Sequence, residues 1–503
     1  MKEGRTANAT RNAIFGVAFK VVTILVPFVI RTLMIYIMGA EYVGLNSLFT
    51  SLLSFLSLAE LGIGQALVYS MYKPIACSDK EQVSALLNLY KKLYRLIGTI
   101  ILIVGICLVP FLKYLVKDGC PEDVNVYVLY GIYLLNTIIS YWLFGYKQSL
   151  LVANQRSDIV SKRSLIVQSA MYLFQISALW ISRNYYVYII MLPVFTVVTN
   201  LANSVIVDKM YPEYKCEGTV SKELESSIRK KVIALFGTKA NSVIMHALDN
   251  IVISAFLGLA MVGKYGNYYY IMNAIIGVMT TIYSSLTAGL GNSIVTDTKE
   301  KVYRDFDTLS FMNACIVTFC TVSLLCLYQP FMKIWVGDDL MLEFGIVLLL
   351  VVYFYVYQIR RIVLTYKDAG GIWWEDRFRP YVMMLTNLIG NFVMVQIIGL
   401  YGVILSTIIA MCVSWPWEIY TLFKYVFHAS SKMYYRKLLQ YILFTVVVAS
   451  ASWGLCSLTM DGILGLFIKA IICVAVSMIS IVTVFRRTDE YHAVVLKVKA
   501  MLK

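Results

Sequence analysis

Six charged side chains are read inside apolar runs, one of them Lys469 near the end of the chain. Lys20 and Arg31 lie in Ala18–Met34, AFKVVTILVPFVIRTLM, with Pro27 between them. Lys239 lies in a second such run, and the two acids within runs are Glu60, in LAELGIGQ, and Asp249, in HALDNIVI. A charge at the centre of a bilayer costs about 2.5–3.5 kcal/mol on insertion scales. Cations placed there can line a wet cavity and hold an anionic group through charge-assisted hydrogen bonds. They can also snorkel, since a long basic side chain near a helix end reaches the headgroups. A carboxylate placed there is a proton carrier, a ligand for a hard cation, or half of an ion pair.

The surrounding sequence is that of an all-α polytopic membrane protein. The chain has 503 residues, of which 59% are hydrophobic and 15% charged. Continuous apolar runs of about 20 residues, each enough to cross a hydrocarbon core as a helix, recur from end to end. Barrel strands would instead show ten-residue alternation. About fourteen spans are predicted: 12–38, 43–71, 89–112, 124–150, 159–182, 184–207, 232–257, 263–290, 308–330, 341–364, 378–399, 401–423, 437–457 and 461–484. The first run is too long for a signal peptide and has no small-residue cleavage site, so it reads as a retained helix.

Charge sets the expected topology. With both termini in the cytoplasm, thirty-five of the 44 Lys and Arg fall in inside segments. Only Lys113, Lys117, Arg183, Lys264 and Lys333 fall outside. That asymmetry follows the positive-inside rule. The net charge of +15 then faces an anionic leaflet, where each cation gains about 1 kcal/mol, and no nucleic acid is needed to account for it. The last stretch, RRTDEYHAVVLKVKAMLK, reads as an amphipathic segment on that leaflet.

Enzymatic chemistry finds little support. The longest outside loop, near KYLVKDGCPEDV, is too small for an extracytoplasmic catalytic domain. No Walker A motif is present. The ten cysteines are scattered without CxxC pairs, and the three histidines are dispersed. No firm metal site or bound cofactor is expected, and the cysteines read as buried small hydrophobes.

A repeat relates the cations. MGAEYVG, which ends the first helix, matches LGLAMVG, which ends the seventh: Gly39 and Gly258, Val43 and Val262, and Gly44 and Gly263 are each 219 apart. The same offset takes Lys20 to Lys239, Thr23 to Ser242, Pro27 to His246 and Arg31 to Asn250. These positions step by three and four and so share one helical face. Two six-helix halves entering from the same side are parallel repeats, and transporters of that kind bind substrate at the repeat interface. The expected organisation is an N-lobe over 1–210, a cytoplasmic linker over 211–230 and a C-lobe over 231–425. Two further helices over 426–485 and a cytoplasmic amphipathic tail over 486–503 follow.

GAEYVGLNSLFTSLLSFLSLAELGIGQALVYSMYKPIACSDKEQVSALLNLYKKLYRLIG resembles the second and third helices of Wzx-type polysaccharide flippases. YKQSLLVANQRSDIVS, VGKYGNYYYIMNAI, GLGNSIVTDTKEKVYRDF and FMKIWVGDD look like further segments of that family, in the expected order. It is the polysaccharide-transport branch of the superfamily that also holds multidrug (MATE) exporters and lipid II flippases. The resemblance implies two pseudo-symmetric six-helix lobes in a V shape with two C-terminal helices appended. It implies a non-enzymatic flippase in the bacterial cytoplasmic membrane that works by alternating access and as a monomer. Its substrate would be a polyprenyl-diphosphate-linked oligosaccharide repeat unit for O-antigen, capsule or another surface polymer, and its neighbour a polysaccharide polymerase. The alternative is an ion-coupled multidrug or metabolite exporter of related fold.

On this reading Lys20, Arg31 and Lys239 bind the diphosphate or an anionic glycan. Aromatic rings stack on sugar faces, and Tyr133, Asn136, Ser140 and Tyr141 on the fourth helix are the sugar-contact candidates. Cavity polar groups and ion-coupling candidates are Glu60, His246, Asp249, Asn250, Asn387, Asn391 and Thr407. Asp249 with Asn387, Asn391 and Thr407 resembles the sodium site of some lipid II flippases, with Asn391 in place of an acid. An Asp249–Lys239 ion pair is the alternative, and Na+ or H+ the expected coupling ion. Glu60 pairs with Arg31 or caps a kink near Gly62 and Gly64.

Overall fold

The computed structural model describes residues 5–60, 62–117 and 120–501, and every regular element among them is helical. The side chains of Lys239 and His246 lie outside the described residues. In oil a backbone must satisfy its own hydrogen bonds, which a helix does within one segment. Eleven described helices are long and apolar enough to cross a membrane, or twelve if the bent pair Val126–Trp142 and Gly145–Ala153 forms one span. Two of the fourteen expected spans are not among them. The second is broken into α2 (Ala40–Leu56) and α3 (Ile63–Ala76) by a tight turn over Ser57–Glu60 and by Gly62 at φ 86°. The seventh lies in α9 (Lys222–Leu257), whose apolar stretch among the described residues is Val243–Leu257.

The chain divides into two compact units, Met1–Gly263 and Lys264–Lys503. The first unit begins with α1 (Arg5–Ile37), which runs through Pro27. It continues with α4 (Lys80–Leu108), α5 (Val126–Trp142), α6 (Gln148–Ala153), α7 (Ser157–Ser177) and α8 (Tyr185–Met210). Side-chain caps mark several starts: Asp79 accepts from Gln82 N, Asn125 from Tyr127 N, Asn184 from Tyr186 N and Ser221 from Leu224 N. Each satisfies a backbone N–H that the first helical turn leaves without a partner. Helix α1 packs on α7, α4 on α5, α5 on α8, and α9 on α2. The last of these contacts includes Asn250 Nδ2 donating to Ser51 Oγ at 2.9 Å.

The residues that revealed the repeat are conformational twins. Gly39 has φ 111° and ψ 166°, and Gly258 has φ 89° and ψ 168°, a region that favours glycine. Gly44 and Gly263 allow a reciprocal close approach: a Cβ on Gly44 would overlap the Leu259 carbonyl oxygen, and one on Gly263 would overlap that of Ala40. Ala40 and Leu259 are themselves related by the same offset.

The second unit is built on α11 (Lys299–Val336), which packs against α12 (Phe344–Ile359), α16 (Lys432–Ser457), α17 (Ile463–Phe485) and α18 (Asp489–Met501). Its other helices are α10 (Leu259–Thr296), which starts in the last residues of the first unit, α13 (Arg361–Ala369), α14 (Arg379–Ile398) and α15 (Leu400–Leu422). Phe306, Tyr366, Phe423, Phe427 and Tyr434 form one aromatic cluster at edge-on and tilted angles. The C-terminal α18 is tied down by Lys437, whose Nζ donates to Asp307 at 2.8 Å and to Glu490 at 2.7 Å.

Candidate functional site: a carboxylate held by tyrosines

The break between α2 and α3 places Glu60 where its carboxylate can be shared. Tyr94 of α4 donates to Glu60 Oε1 and Tyr141 of α5 to Oε2, each at 2.6 Å. Tyr90 donates in turn to the Tyr94 hydroxyl at 3.1 Å. Three rings stand edge-on in sequence, Tyr90 to Tyr94 at 4.6 Å and Tyr94 to Tyr141 at 5.3 Å between centroids. Gly64 leaves the space they need, since a Cβ there would press on the Tyr90 hydroxyl. Glu60 ends the turn before Gly62, but α3 starts without a side-chain cap, and among the described residues its oxygens are taken by tyrosines rather than by Arg31.

This carboxylate borders a pocket of about 570 Å³. Gln65, Ser140, Gln148 and Asn200 add amides and a hydroxyl, and Tyr69 and Tyr72 add exposed rings. Among the described residues no Lys or Arg lines it. A carboxylate, neutral hydrogen-bonding groups and aromatic faces suit a neutral polyol, whose hydroxyls donate to acceptors and whose ring hydrogens lie on tyrosine. They also suit an organic cation, through charge and cation–π contact.

Among the predicted sugar contacts, Ser140 and Tyr141 meet Glu60 at this pocket. Tyr133 and Asn136 do not. Tyr133 is buried and donates to Asn46 Oδ1 at 2.5 Å, and Asn136 accepts from Thr196 at 2.7 Å. Both serve contacts between helices. Lys20 is exposed on α1. Arg31 is half-buried and its Nη2 lies 3.5 Å from the Gly263 carbonyl oxygen. Asp249 is buried on α9, and the neighbouring Asn250 holds Ser51.

The second unit contains a different polar core. Asn387 donates to Thr407 at 2.8 Å and Ser406 to Asn391 at 2.5 Å, all four fully buried between α14 and α15. At this contact the amides act as interhelical hydrogen-bonding groups, a common use of Asn in membrane helices.

Two groupings escaped sequence reasoning. Glu418 lies in the apolar run SWPWEIY as a third acid within a span. It accepts from both Arg360, at Oε1 and Oε2, and Arg379, whose Nη1 is 2.8 Å away. Arg379 and Lys367 also pair with Asp376, so five charged groups assigned to exposed segments or overlooked are buried together. The acid in the apolar run was the available signal. The scattered cysteines also depart from expectation: Cys77, Cys107 and Cys412 are exposed, while Cys326, Cys456 and Cys473 bring their sulfurs within 4.8 Å of one another. They do so inside an apolar cluster with Val322 and Val448.

No protein-family model matches the chain, and no curated protein does. Solved structures do. A lipid II flippase, MurJ, in an inward closed conformation is 15% identical, with a TM-score of 0.66 over 94% of this chain and 99% of that one. An inward-facing multidrug resistance MATE transporter of the MOP superfamily is 15% identical, with a TM-score of 0.60 over 81% and 97%. A MOP superfamily transporter from Pyrococcus furiosus, described as having a binding pocket of reverse polarity, is 12% identical, with a TM-score of 0.53 over 82% and 94%. The chain therefore has the fold of these membrane transporters.

Proposed function

We propose that this chain is a Wzx-type flippase, moving an oligosaccharide repeat unit on a polyprenyl diphosphate from the inner to the outer leaflet of a bacterial cytoplasmic membrane by alternating access. The product would feed a surface polysaccharide such as O-antigen or capsule, with a polysaccharide polymerase as neighbour. The observation that carries the reading is the Glu60 pocket, where a carboxylate, amides and tyrosine faces offer a glycan both hydrogen bonds and stacking. The fold shared with a lipid II flippase over nearly the whole of both chains supports a lipid-linked substrate.

Further assignments rest on that reading. Lys20, Arg31 and Lys239 would compensate the diphosphate, which cannot cross hydrocarbon unpaired. Glu60 or Asp249 would couple transport to H+ or Na+. No bond is made or broken, so the chain acts as a transporter rather than an enzyme, with both termini cytoplasmic and a monomer as the working unit.

One observation favours a second reading. A carboxylate ringed by tyrosines also holds an organic cation, and a multidrug transporter shares the fold. Deleting the gene in cells with intact sugar assembly separates the two. Complete lipid-linked repeat units building up in the inner leaflet are expected of the flippase. Unchanged polymer export with altered drug sensitivity would select the exporter.

A further inference from the structure

Arg163, on α7, is only 8% exposed. Its Nη2 reaches Ser164 Oγ at 3.0 Å and Gln148 Oε1 at 3.4 Å, while Nε and Nη1 have no hydrogen-bond partner among the described residues. No acid lies within ion-pair distance of it among those residues. The contrast is local, because the neighbouring Arg156 binds Asp158 at 3.0 Å. A buried guanidinium without a counter-charge and with two of its three nitrogens unsatisfied is costly, and its planar fork matches a phosphate oxygen pair.

The residue opens onto a groove of about 510 Å³. One part of its wall is apolar, from Ile159, Ile166, Val167 and Ile206; the other carries Arg156, Asp158, Lys162 and Arg163. Two more cations than acids line it, which is complementary to an anion. Its apolar wall continues onto the outer face of α7, where Ile166, Leu173 and Phe174 are 60%, 65% and 58% exposed. In a protein of this composition such a face meets lipid tails. A ligand entering from the side must therefore be amphipathic, with an anionic head and a hydrocarbon body.

We propose that the groove beside Arg163 binds one anionic phospholipid of the surrounding leaflet, its phosphodiester on the guanidinium and an acyl chain along Ile159, Ile166, Val167 and Ile206. The bound headgroup supplies the counter-charge that the Arg163 guanidinium lacks among the described residues. It also clamps α7 to α6 through Gln148, which reaches Arg163 on one side and borders the Glu60 pocket on the other.

The test uses the whole chain purified in a neutral detergent. Phosphatidylglycerol or phosphatidylcholine is titrated in, and retained lipid is counted by native mass spectrometry. The wild type is expected to keep one phosphatidylglycerol in preference to phosphatidylcholine. Arg163→Gln should weaken that retention about tenfold or more, the scale of a charge-assisted pair. Ile166→Trp, at an exposed position, should fill the groove and weaken it with the charge intact. Equal retention of the two lipids, or undiminished retention in both variants, overturns the proposal. Displacement of phosphatidylglycerol by polyprenyl phosphate at equal concentration also overturns it, by giving the site to the carrier lipid. Should Arg163→Gln not fold, Ile166→Trp and the headgroup comparison decide.

Discussion

Glu60 and Glu418 are both carboxylates inside apolar helical sequence, and they are used in opposite ways. Glu418 is fully buried and is bound by two guanidinium groups, with Asp376 and Lys367 completing the cluster. Its charge is spent within the fold. Among the described residues, the Glu60 oxygens accept from phenol hydroxyls, and no cation lines the pocket they border. Its charge is oriented by neutral donors and remains available to whatever enters. A buried acid is thus a poor indicator of function until its partners are known: cations make it structural, and hydroxyls beside open space make it a site.

The comparison can be broken most forcefully at Glu418. Glu418→Gln leaves Arg360 and Arg379 without their shared anion, and breaking a buried pair costs about 3–5 kcal/mol. The expected result is a large loss of thermal stability and of folded protein in the membrane, read by fluorescence-detected chromatography across a temperature series. Glu60→Gln should do the reverse, with normal folded yield, about 1 kcal/mol or less of lost stability, and transport reduced more than tenfold. A Glu60→Gln protein that unfolds while its Glu418→Gln counterpart stays folded would invert the argument.

Smaller changes sharpen it. Tyr94→Phe and Tyr141→Phe each remove one hydrogen bond to a charged acceptor, worth about 1.5–3 kcal/mol before screening. Each should reduce transport several-fold, and the double variant should be non-additive because both phenols orient one carboxylate. The smallest effect is expected at Glu490, outside the membrane spans. Burial opposes its ionisation, but the hydrogen bond from Lys437, a backbone hydrogen bond and the Lys437 charge together outweigh burial and hold its pKa below the ordinary glutamate value. A depressed pKa gives stability that is present above the unfolded value, about 4.3, and lost as pH falls through the folded one. Amide exchange in α18 should therefore accelerate below about pH 4, and Lys437→Met should remove that pH dependence.

Much of the architecture was legible because helix-forming runs and glycine punctuation are local properties. The offset that pairs Gly39 with Gly258 predicted equivalent backbone, and the two residues share an unusual conformation. The break after Glu60 was legible in part, since Gly62 and Gly64 mark it. What sequence could not show was which side chains from distant helices converge. Tyr94 lies 34 residues from Glu60 and Tyr141 lies 81, and neither distance follows a helical period. Arg360 and Arg379 read as surface cations because they flank spans, yet the fold turns them inward onto Glu418. Cys326, Cys456 and Cys473 come from three helices whose contact no spacing encodes.

Leaflet exchange in vesicles tests the Glu60 pocket most directly. The purified chain is reconstituted with a fluorescent polyprenyl-diphosphate oligosaccharide, and the fraction reached by an external quencher is followed in time. Wild-type vesicles should exchange the glycolipid, and Glu60→Gln vesicles holding the same amount of folded protein should stay near the protein-free rate. Equal exchange by the two proteins, or uptake of a lipophilic cation in place of the glycolipid, would contradict the account.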